Sequence, residues 1–158
     1  MEDNSQLLRY KGVMELNLFR QGQLVDHRRV NNVLLNVGKD WLIQRCFDDT
    51  ANVVSGTAAQ CFYLGISLSA ADSTATDTTA TTSEVARLTF TYQTGARGAM
   101  SGTATFNTST ANAAITEAGI FAGGTTSGDG VFIARAMFAA INKTSNDTLQ
   151  VKWDVSFA

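Results

Sequence analysis

The stretch that decides the fold runs Leu149-Gln-Val-Lys-Trp-Asp-Val-Ser-Phe157. Apolar and polar residues alternate strictly along it, so that its five apolar side chains would lie on one face of an extended strand. A helix cannot place five residues at a period of two on a single side. The pattern therefore predicts a half-buried β-strand that is held in a sheet, and it indicates antiparallel β architecture with short hairpins.

Two hairpins are predicted on either side of the middle of the chain. Residues 12–30 alternate on both sides of a Gln-Gly pair at positions 21 and 22, which is typical of a tight turn between two strands. Near the other end, the glycine-rich loop at residues 123–130 separates two apolar runs, residues 113–122 and residues 131–138. We expect those two runs to be paired strands.

Three more strands are predicted between the hairpins, at residues 61–69, 88–92 and 100–106. In the second of these, Leu88, Phe90 and Tyr92 would share one face. Residues 83–87, directly before it, predict a short turn. The third is rich in threonine and small residues, which suits a strand that packs closely against another sheet or another subunit.

One short helix is predicted at about residues 36–47. Val37, Trp41 and Leu42 follow one another at helical spacing, and Asn36 is a suitable N-cap. About seven or eight strands with a single helix predict a mainly β fold, an antiparallel β-sandwich or jelly roll.

The chain is predicted to form one domain, since its 158 residues match the size of a single hydrophobic core. Residues 1–11 are mostly polar and predict a flexible N-terminal arm, and residues 12–158 predict the sandwich domain. Residues 70–82 contain only Ala, Thr, Ser and Asp. A segment of that composition cannot bury enough apolar surface to order itself, so we expect an exposed loop.

Charge gives no reason to expect nucleic acid or an anionic membrane as a partner, because the net charge is −2 and the basic residues are dispersed. Charged residues make up 16% of the chain, below the usual share of about 25%. Cys46 and Cys61 lie in apolar surroundings and are interpreted as buried thiols, with a disulfide as the alternative. No apolar run has the length of a membrane span.

No motif of catalytic chemistry is present in the sequence, and we predict neither enzymatic activity nor a cofactor. Ser67 lies in Gly-Ile-Ser-Leu-Ser, which lacks the second glycine of a nucleophile elbow. His27 is the only histidine, and we interpret it as a surface residue rather than as a general base. One histidine and two separated cysteines do not predict a zinc site. Asp129 lies in a glycine-rich loop, but the spacing of a calcium loop is missing.

Several stretches, taken in order, resemble small structural proteins of tailed bacteriophages. These stretches are Asn36-Val-Gly-Lys-Asp-Trp41, Tyr63-Leu-Gly-Ile-Ser67, Ser83-Glu-Val-Ala-Arg87, Glu117-Ala-Gly-Ile-Phe121, Ala134-Arg135 with Phe138, and Ile141-Asn-Lys-Thr-Ser-Asn-Asp-Thr-Leu149 with Val151, Trp153 and Phe157. The set is similar to head-decoration (cement) proteins and to short tail-fibre or collar-type proteins. In such relatives a variable loop occupies the place of residues 70–82.

The resemblance implies a component of the virion, made in the cytoplasm of a bacterial host and located on the outer capsid surface. We expect a capsid cement protein that binds between capsomers, with the major capsid protein and further copies of itself, as a dimer or trimer, as partners. A tail, collar, fibre or adaptor protein is the alternative. The absence of heptads and of repeats at a fixed period makes a trimeric fibre the less simple choice. A carbohydrate-binding module remains a second alternative. It would use Trp41 or Trp153 as a stacking platform, although both are predicted to lie in the core.

A cement protein can bind its lattice through an extended arm, exposed loops and unpaired strand edges. The candidate interface residues come from the arm, the low-complexity loop, the threonine-rich strand and the glycine-rich loop: Leu7, Leu8, Tyr10, Thr76, Asp77, Thr78, Thr103, Thr105, Thr125 and Asp129.

Overall fold

The computed structural model describes residues 9–47, 62–69, 83–94, 99–124 and 129–157. Within these ranges the chain forms ten strands and one helix. In chain order they are β1 (Tyr10–Arg20), β2 (Gln23–Asn31), β3 (Val33–Leu34), α1 (Asn36–Phe47), β4 (Phe62–Ser67), β5 (Glu84–Thr89), β6 (Thr91–Thr94), β7 (Ala99–Phe106), β8 (Ala114–Ala122), β9 (Val131–Asn142) and β10 (Asp147–Phe157).

The strands form two five-stranded antiparallel sheets. The first sheet has the order β2-β1-β10-β7-β6 and the second has the order β3-β9-β8-β4-β5. The strand predicted from residues 149–157 is β10, in the centre of the first sheet, where Leu149, Val151 and Trp153 are fully buried. The prediction of a mainly β protein with antiparallel sheets and one short helix is confirmed.

The two sheets contribute to one hydrophobic core, which gives a sandwich-like arrangement. Met14, Leu16 and Phe106 of the first sheet belong to the same buried cluster as Ile66 and Ile120 of the second. Apolar surface on the inner face of each sheet is thereby removed from water, which is the main stabilising term of such a fold. The jelly-roll variant of this architecture stays a prediction.

Both predicted hairpins are present. β1 and β2 are joined by Gln21 and Gly22, whose φ angles are 50° and 78°, and two positive values in succession are the geometry of a turn that suits twisted strands. β8 and β9 pair from Ala122↔Val131 onward. β9 continues to Asn142, beyond the predicted end of that strand at Phe138.

The helix occupies the predicted residues and packs on β9. A side chain at Gly38 would place its Cβ atom 2.3 Å from the carbonyl oxygen of Ile133, so only glycine allows this close approach of helix and strand. Trp41 is 9% exposed and joins the common core, as its spacing predicted.

The interpretation of residues 83–92 as a turn followed by one strand is wrong. Residues 84–89 form β5 at the edge of the second sheet, and residues 91–94 form β6 at the edge of the first. Phe90 lies between them, is 2% exposed and packs in the common core. The alternation of Leu88, Phe90 and Tyr92 in the sequence therefore continues across the point where the chain crosses from one sheet to the other. A period of two does not reveal such a crossing.

The predicted boundary between arm and domain lies too far along the chain. β1 begins at Tyr10, whose ring packs edge-on against Phe157 with a centroid distance of 5.7 Å. Tyr10 and Lys11 thus belong to the first sheet and not to an arm. The predicted loop at residues 70–82 lies outside the described residues.

Candidate functional site

Six of the ten candidate interface residues lie outside the described part of the chain: Leu7, Leu8, Thr76, Asp77, Thr78 and Thr125. The other four are Tyr10, Thr103, Thr105 and Asp129. The structure does not bring them together in one site, because they occupy the first sheet and a loop of the second.

Tyr10 is partly buried at the end of the first sheet. Its hydroxyl accepts a hydrogen bond from the side-chain amide of Asn32. Burial raises the pKa of Tyr10, and the neighbouring polar groups of Asn32 and Trp153 offset part of that effect. The beginning of β1 is therefore a fixed position at the rim of the sheet.

Thr103 and Thr105 lie on the outer face of the first sheet, since they alternate with the buried Ala104 and Phe106. The strand register assigns five rows of residues to this face: Lys11–Ser156–Ala99, Asn31–Val13–Asp154–Ser101–Gln93, Arg29–Glu15–Lys152–Thr103–Thr91, His27–Asn17–Gln150–Thr105 and Leu24–Phe19–Thr148.

This outer face is mostly polar, apart from Leu24 and Phe19 at one end. Four of its charged side chains form two pairs, with 3.7 Å between Arg29 and Glu15 and 3.1 Å between Lys152 and Asp154. Among the described residues, the helix contacts the second sheet and leaves this face uncovered. Paired charges and short Ser, Thr, Asn and Gln side chains allow many hydrogen bonds to a partner surface without a strong electric field.

Asp129 is exposed, but its backbone carbonyl accepts a hydrogen bond of 2.8 Å from Arg87. The same guanidinium group donates to the carbonyl of Gly124 at 3.1 Å. Arg87 thus fastens both ends of the glycine-rich loop to the neighbouring strand β5. We conclude that the described ends of this loop are held by the domain.

Arg87 also belongs to a buried stack on the outer face of the second sheet. It forms a two-pronged ion pair with Glu84, with two N–H···O distances of 2.7 Å, and both side chains are 3% exposed. Its guanidinium carbon lies 3.8 Å from the ring centroid of Phe121, and that ring stacks on Phe132 at 4.6 Å. Cation–π contact and stacking of this kind favour the planar guanidinium of arginine over lysine.

A second buried ion pair lies on the same face, between Glu117 of β8 and Arg135 of β9. The Nε atom of Arg135 donates to Oε2 of Glu117 at 2.7 Å, and both side chains are 3% exposed. Oε1 of Glu117 accepts a hydrogen bond from Ser67, and Arg135 also donates to the hydroxyl of Ser69 at 2.8 Å. Both carboxylate oxygens are thus occupied, as a charge in a dry environment requires.

Sequence reasoning named Glu84, Arg87, Glu117 and Arg135 in the resembling stretches but did not pair them. One sequence signal of this crowded face is the glycine at positions 65 and 119. Any other residue at either position would place its Cβ atom 2.8 Å or less from a side chain on this face. The strand register supplies a second signal. Ser67 lies opposite Glu117, and Gly119 lies opposite Arg135, only once the strands are aligned. The Glu117–Arg135 pair joins β8 to β9 and, through Ser67, to β4. Arg87 joins β5 to β8 through its contact with Phe121. This arrangement suits a rigid scaffold.

A cavity of about 290 Å³ opens between the two sheets at the end where β1 begins. Its walls are apolar and come from both sheets and the helix, with Tyr10, Leu34, Leu42, Met100, Ile133 and Phe157 among them.

The other residues considered for catalysis, sugar binding or disulfide formation are a histidine, two tryptophans and two cysteines. His27 is exposed and shares a hydrogen bond of 2.7 Å with Asn17, which agrees with a surface role. Trp41 and Trp153 are buried, so neither is available as a platform for a sugar ring. The side chains of Cys46 and Cys61 lie outside the described residues.

In the described part of the chain, His, Cys, Asp and Glu side chains do not gather in the groups of three that could hold a metal ion. Over the same residues, no helix has both the length and the apolar character needed to cross a bilayer.

Comparison with known proteins adds no relative: no family model, curated protein or solved structure matches this chain.

Proposed function

We propose that this protein is a structural protein of a tailed-bacteriophage particle, a cement protein that binds between capsomers and stabilises the head. The observation that carries the proposal is the open outer face of the first sheet, on which Thr103 and Thr105 lie. The resemblance of the sequence to phage virion proteins supplies the class, and the geometry of this face supplies a contact surface.

A cement protein must hold its shape while the shell beneath it is under pressure. Two buried ion pairs and a core shared by both sheets provide stiffness in the described part of the chain. Each contact with the shell can be weak, because many copies meet a fixed lattice and the effective concentration is high. A polar face on which Arg29 pairs with Glu15 and Lys152 pairs with Asp154 suits such repeated contacts of modest strength.

The experiment that tests the proposal counts copies of this chain per major capsid subunit in purified particles, by quantitative mass spectrometry. We expect a ratio near one or a simple large fraction of it. A handful of copies per particle would replace the cement function with the alternative, a tail, collar or adaptor protein. Absence of the chain from particles would refute both.

The contact surface is tested with Thr105→Glu, which places a charge on the outer face of the first sheet. We expect reduced binding to capsids that lack the protein and a smaller rise of their rupture temperature. Ser145→Glu is the matched control, because Ser145 is equally exposed but lies in the turn before β10. Equal binding by both variants would show that this face does not contact the shell.

A further inference from the structure

β2 forms one edge of the first sheet. Within the described residues it is hydrogen-bonded only to β1, so the backbone groups along its other side are free to pair with another strand. Leu24 and Val25 on this strand are 53% and 50% exposed, and they are two of the three large apolar side chains most exposed in the described chain. An edge with these properties is a natural place for strand addition.

The charges of β2 are arranged around His27. Asp26 and Arg28 flank it, point toward the inner side of the sheet and form an ion pair with an N–O distance of 2.9 Å. Their side chains are still 32% and 27% exposed. Arg28 also donates to the backbone carbonyls of Ala139 and Ala140 on β9, which holds its guanidinium group between the edges of the two sheets.

We infer that β2 pairs antiparallel with β2 of a second copy, about a two-fold axis that passes beside His27, and so joins two five-stranded sheets into one of ten strands. In that register His27 lies opposite His27 of the second copy. Asp26 of each copy then lies opposite Arg28 of the other, and the two ion pairs merge into a network of four charges.

The register between the two β2 strands follows from two conditions. Paired residues must lie on the same face of the sheet, and like charges must not lie opposite each other. A two-fold axis perpendicular to the sheet pairs residues of the same face, and its centre must be a residue that lies opposite itself. A centre at Asp26 or at Arg28 would set two identical charges directly against each other, which is destabilising. Of these three adjacent centres, only His27 places opposite charges face to face.

Inward-pointing charges and a bulge commonly protect a strand edge from pairing. β2 has both, because its register with β1 shifts between Leu18 and Phe19, next to Val25. A self-complementary charge pattern converts that protection into selectivity. Registers centred on Asp26, Arg28 or Arg29 set like charges opposite each other, whereas the register centred on His27 sets opposite charges face to face. The exposed Leu24 and Val25 would be covered by the end of the second strand. The pairing would hold for the free chain in solution, whether or not the protein is part of a phage particle.

Cross-linking between single introduced cysteines tests the axis directly. Under mild oxidation we expect His27→Cys to form a covalent dimer, because directly opposite residues have Cα atoms about 4.5–5.5 Å apart, within the range of a disulfide. Arg29→Cys is the matched control: the two copies of residue 29 would be separated by about 14 Å along the strands. The parent chain sets the baseline for Cys46 and Cys61. Equal cross-linking of the two variants, or none by His27→Cys, would overturn the inference.

Charge exchange tests the register without a cross-link. Asp26→Arg alone and Arg28→Asp alone each set like charges opposite one another, and we expect each to dimerise at least about tenfold more weakly than the parent chain. An equimolar mixture of the two variants restores both opposite-charge pairs, so we expect a heterodimer from two chains that are monomers by themselves. Its formation also shows that both variants are folded. Light scattering after size exclusion measures the masses. A parent chain that is monomeric at the highest soluble concentration, or a mixture that stays monomeric, would refute the pairing.

Discussion

Glu117 and Arg135 illustrate how much depends on single residues of the second sheet. Removing the carboxylate alone by Glu117→Leu leaves a guanidinium group buried without its counter-charge, and we expect a loss of about 3–5 kcal/mol in the free energy of unfolding. Replacing both residues, Glu117→Leu with Arg135→Met, removes the buried charge, so we expect the double variant to be more stable than Glu117→Leu alone. Urea denaturation measures all three free energies.

Glu15→Leu is the control for that series. Its partner Arg29 is 65% exposed and 3.7 Å away, so we expect a change of only about 0–1 kcal/mol. A double variant that is no more stable than Glu117→Leu alone would show that the buried charge of Arg135 is not the cause of the loss.

Asp147 adds a dependence of stability on pH. Its carboxylate accepts hydrogen bonds from Arg20 at 2.7 Å and from the Thr144 hydroxyl at 2.7 Å, and these bonds hold the pKa of Asp147 far below the ordinary value of 3.8. Because the folded pKa is lowered, the contribution to stability is fully present well above pH 3.8 and is lost as the pH falls toward the folded pKa.

We therefore expect Asp147→Asn to be less stable than the parent chain at neutral pH, with a difference that narrows steadily below about pH 5. Urea denaturation in steps from pH 7 to pH 3 measures the difference. Asp154→Asn serves as control, because its carboxylate is 39% exposed and pairs only with the exposed Lys152. A difference for Asp147→Asn that stays constant down to pH 3 would contradict the assigned role.

At the scale of elements, the crossing from β5 to β6 places the ring of Phe90 against Gly102 of β7. Phe90 packs where a Cβ atom at Gly102 would lie 2.1 Å from its ring. We expect Gly102→Ala to cost about 1–3 kcal/mol, because the ring must leave its position in a filled core. In a chain that already carries Phe90→Leu, the same substitution should cost less, which a double-mutant cycle by chemical denaturation would detect.

Gly22→Ala is the comparison for that cycle. Gly22 has a φ of 78° and no atom within 4 Å of an added Cβ atom. The loss of stability caused by Gly22→Ala therefore comes from the backbone conformation alone. Phe90→Leu should leave that cost unchanged. If Phe90→Leu also left the cost of Gly102→Ala unchanged, the ring would not be the obstacle.

The same elements show why prediction succeeded in some places and failed in others. β10 was predictable because it has a strong period of two. α1 was predictable because Val37, Trp41 and Leu42 lie at helical spacing after a suitable N-cap at Asn36. The β1–β2 hairpin was predictable because Gln21-Gly22 marks its turn. β5 and β6 were not, since a period of two continues unchanged when a strand leaves one sheet and enters the other. β3 has only two residues and carries no periodic signal.

At the scale of the whole molecule, the outer faces of the two sheets differ in character. The outer face of the second sheet carries two buried ion pairs that stiffen the scaffold, whereas the outer face of the first sheet is open and polar. Pairing through β2 would place the open faces of two copies side by side in one continuous sheet. A surface of doubled width with two-fold symmetry would suit the proposed contacts of a cement protein between capsomers.

Sequence alone determined the class of this fold, the place of its helix and the interior position of Trp41 and Trp153, because periodicity and apolar character act over a few neighbouring residues. Only the tertiary structure decided which strands are neighbours, and therefore that Glu117 meets Arg135 and that Thr103 and Thr105 share a face with Lys152 and Glu15. The physical reason is that strand pairing joins residues far apart in the chain through backbone hydrogen bonds, which every residue type except proline can donate and accept.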